Sequence, residues 1–242
     1  MPEMRRYKYN DSLATASIAA GGTLGILIPP SVILVIYGLM TETSVGKLFI
    51  AGVLPGLLGI LFYLLAVVFV VSRNPAVGPA GERTGWGDRL LALRDVWTTL
   101  GLFIFVIGGI YAGMFTPTEA SGMGAAGALA IAWRRGALRD GALFQVLRET
   151  AITTAKLFFI LFGALIFSNF VNRAGLPDGL ISIVNAFDLS PLGVIFIILL
   201  IYVLLGCVFE SLSMILLTVP IFAPVVANLG FDLIWFGILV VV

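Results

Sequence analysis

Histidine is absent from this sequence, cysteine occurs once, and charged residues fill only 11% of its 242 positions. Each scarcity excludes something. Without histidine, Ser-His and Cys-His nucleophile pairs, HExxH zinc sites and His-ligated haem or iron lose their central group. With Cys207 alone an intramolecular disulfide is impossible, and the thiol is expected to be a small buried side chain. A net charge of +1 leaves no basic face for nucleic acid. An intramembrane aspartyl protease would need two aspartates inside apolar segments, and here the aspartates stand in loops or at segment ends. The chain is not expected to be an enzyme.

What is present is apolar. Hydrophobic residues make up 60% of the chain, against about 45–50% in an ordinary soluble domain, and the mean hydropathy is +1.11. This predicts an all-α integral membrane protein. Apolar runs at 13–39, 48–71, 96–115, 120–133, 151–171 and 191–227 are separated by short polar stretches, and another begins at 233. The run at 13–39 far exceeds the roughly 7–15 residues of a signal-peptide core, so it reads as a span. Residues 73–95, with Asn74-Pro75, Gly78-Pro79, Gly81 and the arginines 73, 83, 89 and 94, form the expected linker between two parts, 1–72 and 96–242. Trp86, Trp97, Trp133 and Trp235 suit interfacial anchors, and Lys156 a cation that snorkels near an interface.

The basic stretches set an orientation. Residues 1–12, 72–95 and 134–148 fall on one side when the crossings are counted, and Lys and Arg favour the cytoplasm in short loops. Residues 172–190 carry only Arg173 as a cation and 228–232 carry none, which suits the opposite face if 191–227 is a hairpin turning at Glu210.

The first run is interrupted by GGTLGILIPPS at 21–31. A glycine costs a helix about 1 kcal/mol relative to alanine and an interior proline about 3. Gly21, Gly22, Gly25, Pro29 and Pro30 together predict a broken helix. Neither proline has an N–H to give, so the carbonyls of Gly25 and Ile26 lose their helical donors. In a bilayer each such carbonyl costs several kcal/mol unless protein, water or an ion meets it. The competing reading is a kinked helix whose glycines admit a neighbour.

Two further polar stretches interrupt apolar sequence. Thr116-Pro117-Thr118-Glu119 reads as a capping box, with Thr116 at N-cap, Pro117 at N1 and Glu119 at N3. A helix starting there also offers N–H groups to an anion, and Glu119 would be too costly facing lipid. Glu210-Ser211-Leu212-Ser213 interrupts 191–227 and reads as a hairpin tip, or as a loop between two complete spans. Finally, Pro2, Tyr9 and Asn10 recur in spacing as Pro224, Phe231 and Asp232, each set leading into an apolar segment from opposite faces. That is the pattern of an inverted-topology repeat.

GGTLGILIPPS at 21–31, GMFTPTEASGMGA at 113–125 and GCVFESLSMILLTVPIFAP at 206–224 closely resemble the large, DctM-type membrane subunit of the tripartite ATP-independent periplasmic (TRAP) transporters, and the similarity runs over nearly the whole chain. The resemblance implies an inverted-repeat, ion-transporter-like elevator fold with broken helices and a re-entrant hairpin, cut at both ends relative to the family. The first repeat's broken helix would be 13–39 and the second repeat's hairpin 191–227. It implies a Na⁺-coupled secondary transporter in the bacterial inner membrane, with no cofactor beyond the coupling ion. Its partners would be a small DctQ-type membrane subunit and a periplasmic DctP-type solute-binding protein, and its cargo organic anions such as C4-dicarboxylates, sialic acid or other carboxylates. On this reading Na⁺ lies near Gly22, Thr23 and Ser31, and near Glu210, Ser211 and Ser213, where the family usually carries Asp in place of Glu210. Gly21, Gly25, Pro29, Pro30 and the stretch from Thr116 to Glu119 complete the ion and substrate sites. The alternatives are a Na⁺/anion symporter of the same superfamily working without a binding protein, and a non-transporting membrane scaffold.

Overall fold

The computed structural model describes residues 1–79, 85–139, 141–187 and 189–242, and these contain helices and no strand. The helices are α1 (Pro2–Arg6), α2 (Asp11–Leu27), α3 (Val32–Met40), α4 (Val45–Arg73), α5 (Trp86–Tyr111), α6 (Pro117–Arg134), α7 (Ala142–Arg173), α8 (Leu176–Ala186), α9 (Pro191–Gly206), α10 (Ser211–Asn228) and α11 (Leu233–Val241), with one 3₁₀ turn at Pro75–Val77. By length and composition α4, α7 and α10 can each cross a membrane, and α2 with α3 can form a fourth, broken span. The apolar part of α5, Val96–Tyr111, and all of α9 are shorter.

The chain divides into two compact units, Met1–Ser31 with Gly52–Ile131, and Val32–Ala51 with Ala132–Val242. In the first, α2 and the later part of α4 run antiparallel. A Cβ added at Gly56 would lie 2.9 Å from Ile28, and one at Gly59 2.6 Å from Leu24. The Thr23 and Tyr63 hydroxyls are 3.2 Å apart. At the other end the Asn10 N–H donates to the Val77 carbonyl at 2.9 Å. The two basic stretches 1–12 and 72–79 therefore share one end, as the crossing count predicts. In the same unit α5 and α6 form a hairpin, in which Gly127 faces Leu102, Gly124 faces Val106, and the Phe105 and Phe115 rings meet edge to face at 5.4 Å.

The second unit is built around α10, which packs on α3, α7, α8, α9 and α11. Half of its most apolar window is buried, against 6% for α4 and for α7. Ile36 of α3, Ala164 of α7 and Leu216 of α10 form one buried cluster, joined by Met40, Leu161 and Leu212. Tyr37 and Phe236 are wholly buried. The Tyr37 hydroxyl donates to the Leu233 carbonyl at 2.6 Å, and the glycine at 237 leaves room for the Tyr37 ring. With a rise of 1.5 Å per residue, α9 is about 24 Å long and α10 about 27 Å. Helix α9 falls short of a hydrocarbon core of about 30 Å, whereas α10, with 18 residues, stands near the lower limit of a spanning helix.

Two sequence expectations change here. The C-terminal part of the expected linker is helical, since α5 begins at Trp86 rather than near 96. Leucine, alanine and arginine between 89 and 94 are good helix formers, and that outweighs their hydrophilic context. Gly81 and Arg83 of that linker lie outside the described residues. Cys207 is exposed rather than buried, because α9 ends at Gly206 and the thiol sits on the turn, where it donates to the Val203 carbonyl at 3.3 Å.

Candidate functional site

The break in the first span is narrower than the glycines suggest. Gly21, Gly22 and Gly25 all lie inside α2, and only residues 28–31 leave helical geometry. A glycine penalty of about 1 kcal/mol is smaller than the several kcal/mol of a bare amide in lipid, so the helix persists until proline removes the donor itself. The Ile28 N–H still donates to the Leu24 carbonyl at 3.0 Å. Pro29 and Pro30 follow, joined by a cis peptide. The carbonyl of Ile26, expected to lose its partner, accepts the hydroxyl of Ser31. Ser31 is 2% exposed. A Cβ at Gly21, Gly22 or Gly25 meets no atom within 4 Å, so these glycines do not serve close packing among the described residues.

Thr23 sits one turn before the break, and its hydroxyl donates to the Ala20 carbonyl at 2.8 Å. A hydroxyl whose proton is committed to a carbonyl meets any third atom as an acceptor, the sense a cation requires. Thr23 and Ser31 are both set this way.

The second candidate stretch folds as the capping box its sequence spells. The Thr116 N–H and hydroxyl both donate to Glu119 Oε2, at 2.8 and 2.9 Å, while the Glu119 N–H points back to Thr116 Oγ1 at 3.3 Å. Pro117 opens α6, and the Thr118 carbonyl accepts the Ser121 hydroxyl at 2.7 Å. The backbone and hydroxyl donors of Thr116 hold the Glu119 carboxyl below the usual carboxylate range.

At the third stretch Glu210 is the N-cap of α10. Its carboxylate accepts the Ser213 N–H at 3.2 Å and lies 3.5 Å from the Ser213 hydroxyl, while Ser211 opens the helix. The turn between α9 and α10 is thus closed by a helix cap, which a hairpin tip and a loop between two spans would share. Each of the three candidate stretches contains a side-chain bond spanning at most five residues of sequence, and Thr23 of the first also pairs with Tyr63.

Three other polar residues were not singled out by the sequence. Besides Ser31, the buried polar side chain among the described residues is Thr218. Its hydroxyl donates to the Met214 carbonyl at 2.7 Å and is hydrogen-bonded to the Tyr202 hydroxyl at 2.6 Å, which fixes α9 on α10 behind the tip. Tyr37 does the same for α3 and α11. The available signal was a lone hydroxyl inside a long apolar run, a position that demands an internal partner. A cavity of about 230 Å³ lies beside this pair, lined by Ile33, Tyr202, Gly206, Ser211 and Leu239 among others.

The match that assigns the chain covers residues 1–242, against the family described as "Tripartite ATP-independent periplasmic transporter, DctM component". The chain belongs to this family. It is 37% identical over 99% of its length to the C4-dicarboxylate TRAP transporter large permease protein DctM of Pseudomonas aeruginosa. It is 34% identical to the ectoine/5-hydroxyectoine TRAP transporter large permease protein UehC of Ruegeria pomeroyi, again over 99% of the chain. The sialic acid TRAP transporter large permease protein SiaM of Vibrio cholerae is 34% identical over 98%. The chain spans 56% of the length of each of these relatives. The family is one of transporter components rather than enzymes, and its members are multi-pass proteins of the bacterial inner membrane.

Proposed function

We propose that this chain is part of the membrane permease of a Na⁺-coupled secondary transporter. It imports organic anions, carboxylates in particular, handed over by a periplasmic solute-binding protein and in company with a small membrane subunit. The observation that carries the reading is the break at 28–31. An apolar span is interrupted by two prolines, and the exposed carbonyl beside them is met by a hydroxyl within the same break. Oxygen is what Na⁺ requires, by the same hard-cation logic as calcium and magnesium. Thr23 and Ser31 offer it with their protons turned inward. The half-helix α3 starts immediately after the break and turns its positive end toward it, a favourable place for a carboxylate. Glu210, Ser211 and Ser213 form the corresponding oxygen-rich tip of the hairpin, and Thr116 to Glu119 supply a second helix start close to the pathway. Gly21, Gly22, Gly25, Pro29 and Pro30 shape the first site through the backbone. The cargoes named for the relatives differ, which supports a class of solute rather than one compound.

The test is uptake by the complete permease reconstituted with its small subunit and binding protein. Accumulation of a radiolabelled carboxylate is expected only with an inward Na⁺ gradient and binding protein present. Uptake that proceeds equally well without either would refute the reading, and loss of dependence on the binding protein alone would favour the stand-alone symporter.

A further inference from the structure

Two buried hydroxyls join α9 to α10, and their protons can be placed. Thr218 Oγ1 lies 2.7 Å from the Met214 carbonyl and 2.6 Å from the Tyr202 hydroxyl. A carbonyl only accepts, and Thr218 has a single proton to give. If that proton went to Tyr202, the Met214 oxygen would face another oxygen with no hydrogen between them. The Tyr202 proton would then need a different acceptor at a position only 5% exposed. The Tyr202 hydroxyl therefore donates to Thr218, and Thr218 donates to Met214.

This chain of bonds ends where α10 begins. Met214 stands in the first turn of the helix, and its N–H donates to the Glu210 carbonyl at 3.0 Å. The Glu210 carboxylate in turn accepts the Ser213 N–H. Hydrogen bonds thus connect the Tyr202 phenol through Thr218 and Met214 to Glu210 and Ser213, two of the three oxygen-bearing residues proposed to hold the ion.

Apolar packing does not set this end of the helix pair. The cavity of about 230 Å³ is lined by Tyr202, Val203 and Gly206 of α9 and by Ser211, Met214 and Ile215 of α10. A void forfeits the contacts that would hold two helices in one register. Directional bonds remain, and a fully satisfied buried polar network specifies a single arrangement. The Tyr202 ring is itself held, with Phe222 of α10 and Phe236 of α11 at centroid distances of 5.9 and 6.4 Å. An apolar pair of the same shape would be about as stable as this hydroxyl pair. What the hydroxyls add is direction.

We infer that Tyr202 and Thr218 are positioning residues for the ion site at Glu210, Ser211 and Ser213, setting the first turn of α10 against the end of α9 without touching the ion. The inference rests on the transport reading above. Its test uses the complete permease with its small subunit and binding protein, and reads the Na⁺ concentration giving half-maximal uptake separately from the maximal rate. Tyr202→Phe and Thr218→Val should each raise that concentration several-fold. Thr218→Ser, which keeps the hydroxyl, should stay close to the unaltered protein. Thr218→Val leaves the buried Tyr202 proton without an acceptor, so it should also lower thermal stability. In Tyr202→Phe/Thr218→Val no donor is stranded and stability should recover, while the Na⁺ requirement stays high. Recovery of both together would reduce the pair to a structural role and overturn the inference. So would a loss of maximal rate at an unchanged Na⁺ requirement.

A second measurement needs no transport. With Cys207, exposed on the turn, as the sole cysteine, Na⁺ should slow its alkylation by a maleimide, and the double variant should need several-fold more Na⁺ for the same effect. Uptake and alkylation both indifferent to Na⁺ in the unaltered permease would refute the transport reading itself. A normal Na⁺ response there, with unshifted variants, would refute only the positioning role.

Discussion

The side chain that most clearly does a local job is Glu119. Its carboxylate closes the first turn of α6 by accepting both donors of Thr116, and those donors hold its pKa below that of the unfolded chain. A depressed carboxylate contributes stability that is complete above the unfolded pKa and is lost as pH falls through the folded one. Thermal unfolding of the purified permease followed through the acid range should show this contribution disappearing below the ordinary glutamate pKa. In Glu119→Gln that part of the acid sensitivity should be missing. Thr116→Ala should destabilise by about 1 kcal/mol, as loss of an N-cap does. An acid limb of the same size in Glu119→Gln and in the unaltered protein would show that the cap contributes nothing ionic.

At the scale of elements, α2 separates two reasons for keeping glycine. A Cβ at Gly22 meets nothing within 4 Å, and the residue is helical. Gly22→Ala should therefore stabilise the fold by roughly 1 kcal/mol, through helix propensity and a less flexible unfolded chain. If the backbone around the break handles the coupling ion, the same substitution should lower Na⁺-driven uptake although the protein is more stable. Full uptake in a stabilised Gly22→Ala would remove Gly22 from the ion site, and full uptake in Pro30→Ala as well would favour a scaffold. The element boundaries show what was legible beforehand. Pro29 and Pro30 marked the break because a missing donor cannot be restored by tertiary context. Gly21 and Gly22 misplaced its start, because propensity is a weak prior wherever lipid punishes an open backbone. The capping box at Thr116 and the tip at Glu210 were readable because caps are local chemistry, made within three or four residues. Tyr37, Tyr202 and Thr218 were not, since their partners lie on other helices, up to 196 residues away.

At the scale of the molecule, the expected orientation has one structural support and one open consequence. Asn10 is bonded to Val77, so the start of α2 and the end of α4 share a membrane face. The recurring pair Asn10 and Asp232 also play one role. Each caps the helix that follows, Asn10 by accepting the Ser12 N–H at 2.9 Å and Asp232 by accepting the Ile234 N–H at 2.6 Å. We expect the two caps on opposite faces. In a cysteine-free background of the complete permease, with Cys207→Ser in this chain, Lys8→Cys and Asn74→Cys should react with a membrane-impermeant maleimide only in inverted vesicles. Asn228→Cys should react only from the periplasmic side. Labelling of Lys8→Cys and Asn228→Cys from the same side would reverse the crossing count and end the inverted-repeat reading.

The unequal burial of the helices sets how the sequence can drift. In α4 and α7 only 6% of the most apolar window is covered by the rest of this chain, so few of its own side chains fix their shape. Leucine, isoleucine, valine and phenylalanine can trade places there with little effect on this chain's own packing. Helix α10 has no such latitude, because Thr218 must face Tyr202 while Leu216 fills the space between Ile36 and Ala164. A single change on α10 must be matched on several other helices at once. Within this chain α4 and α7 have room to drift, whereas α10 is held to one solution.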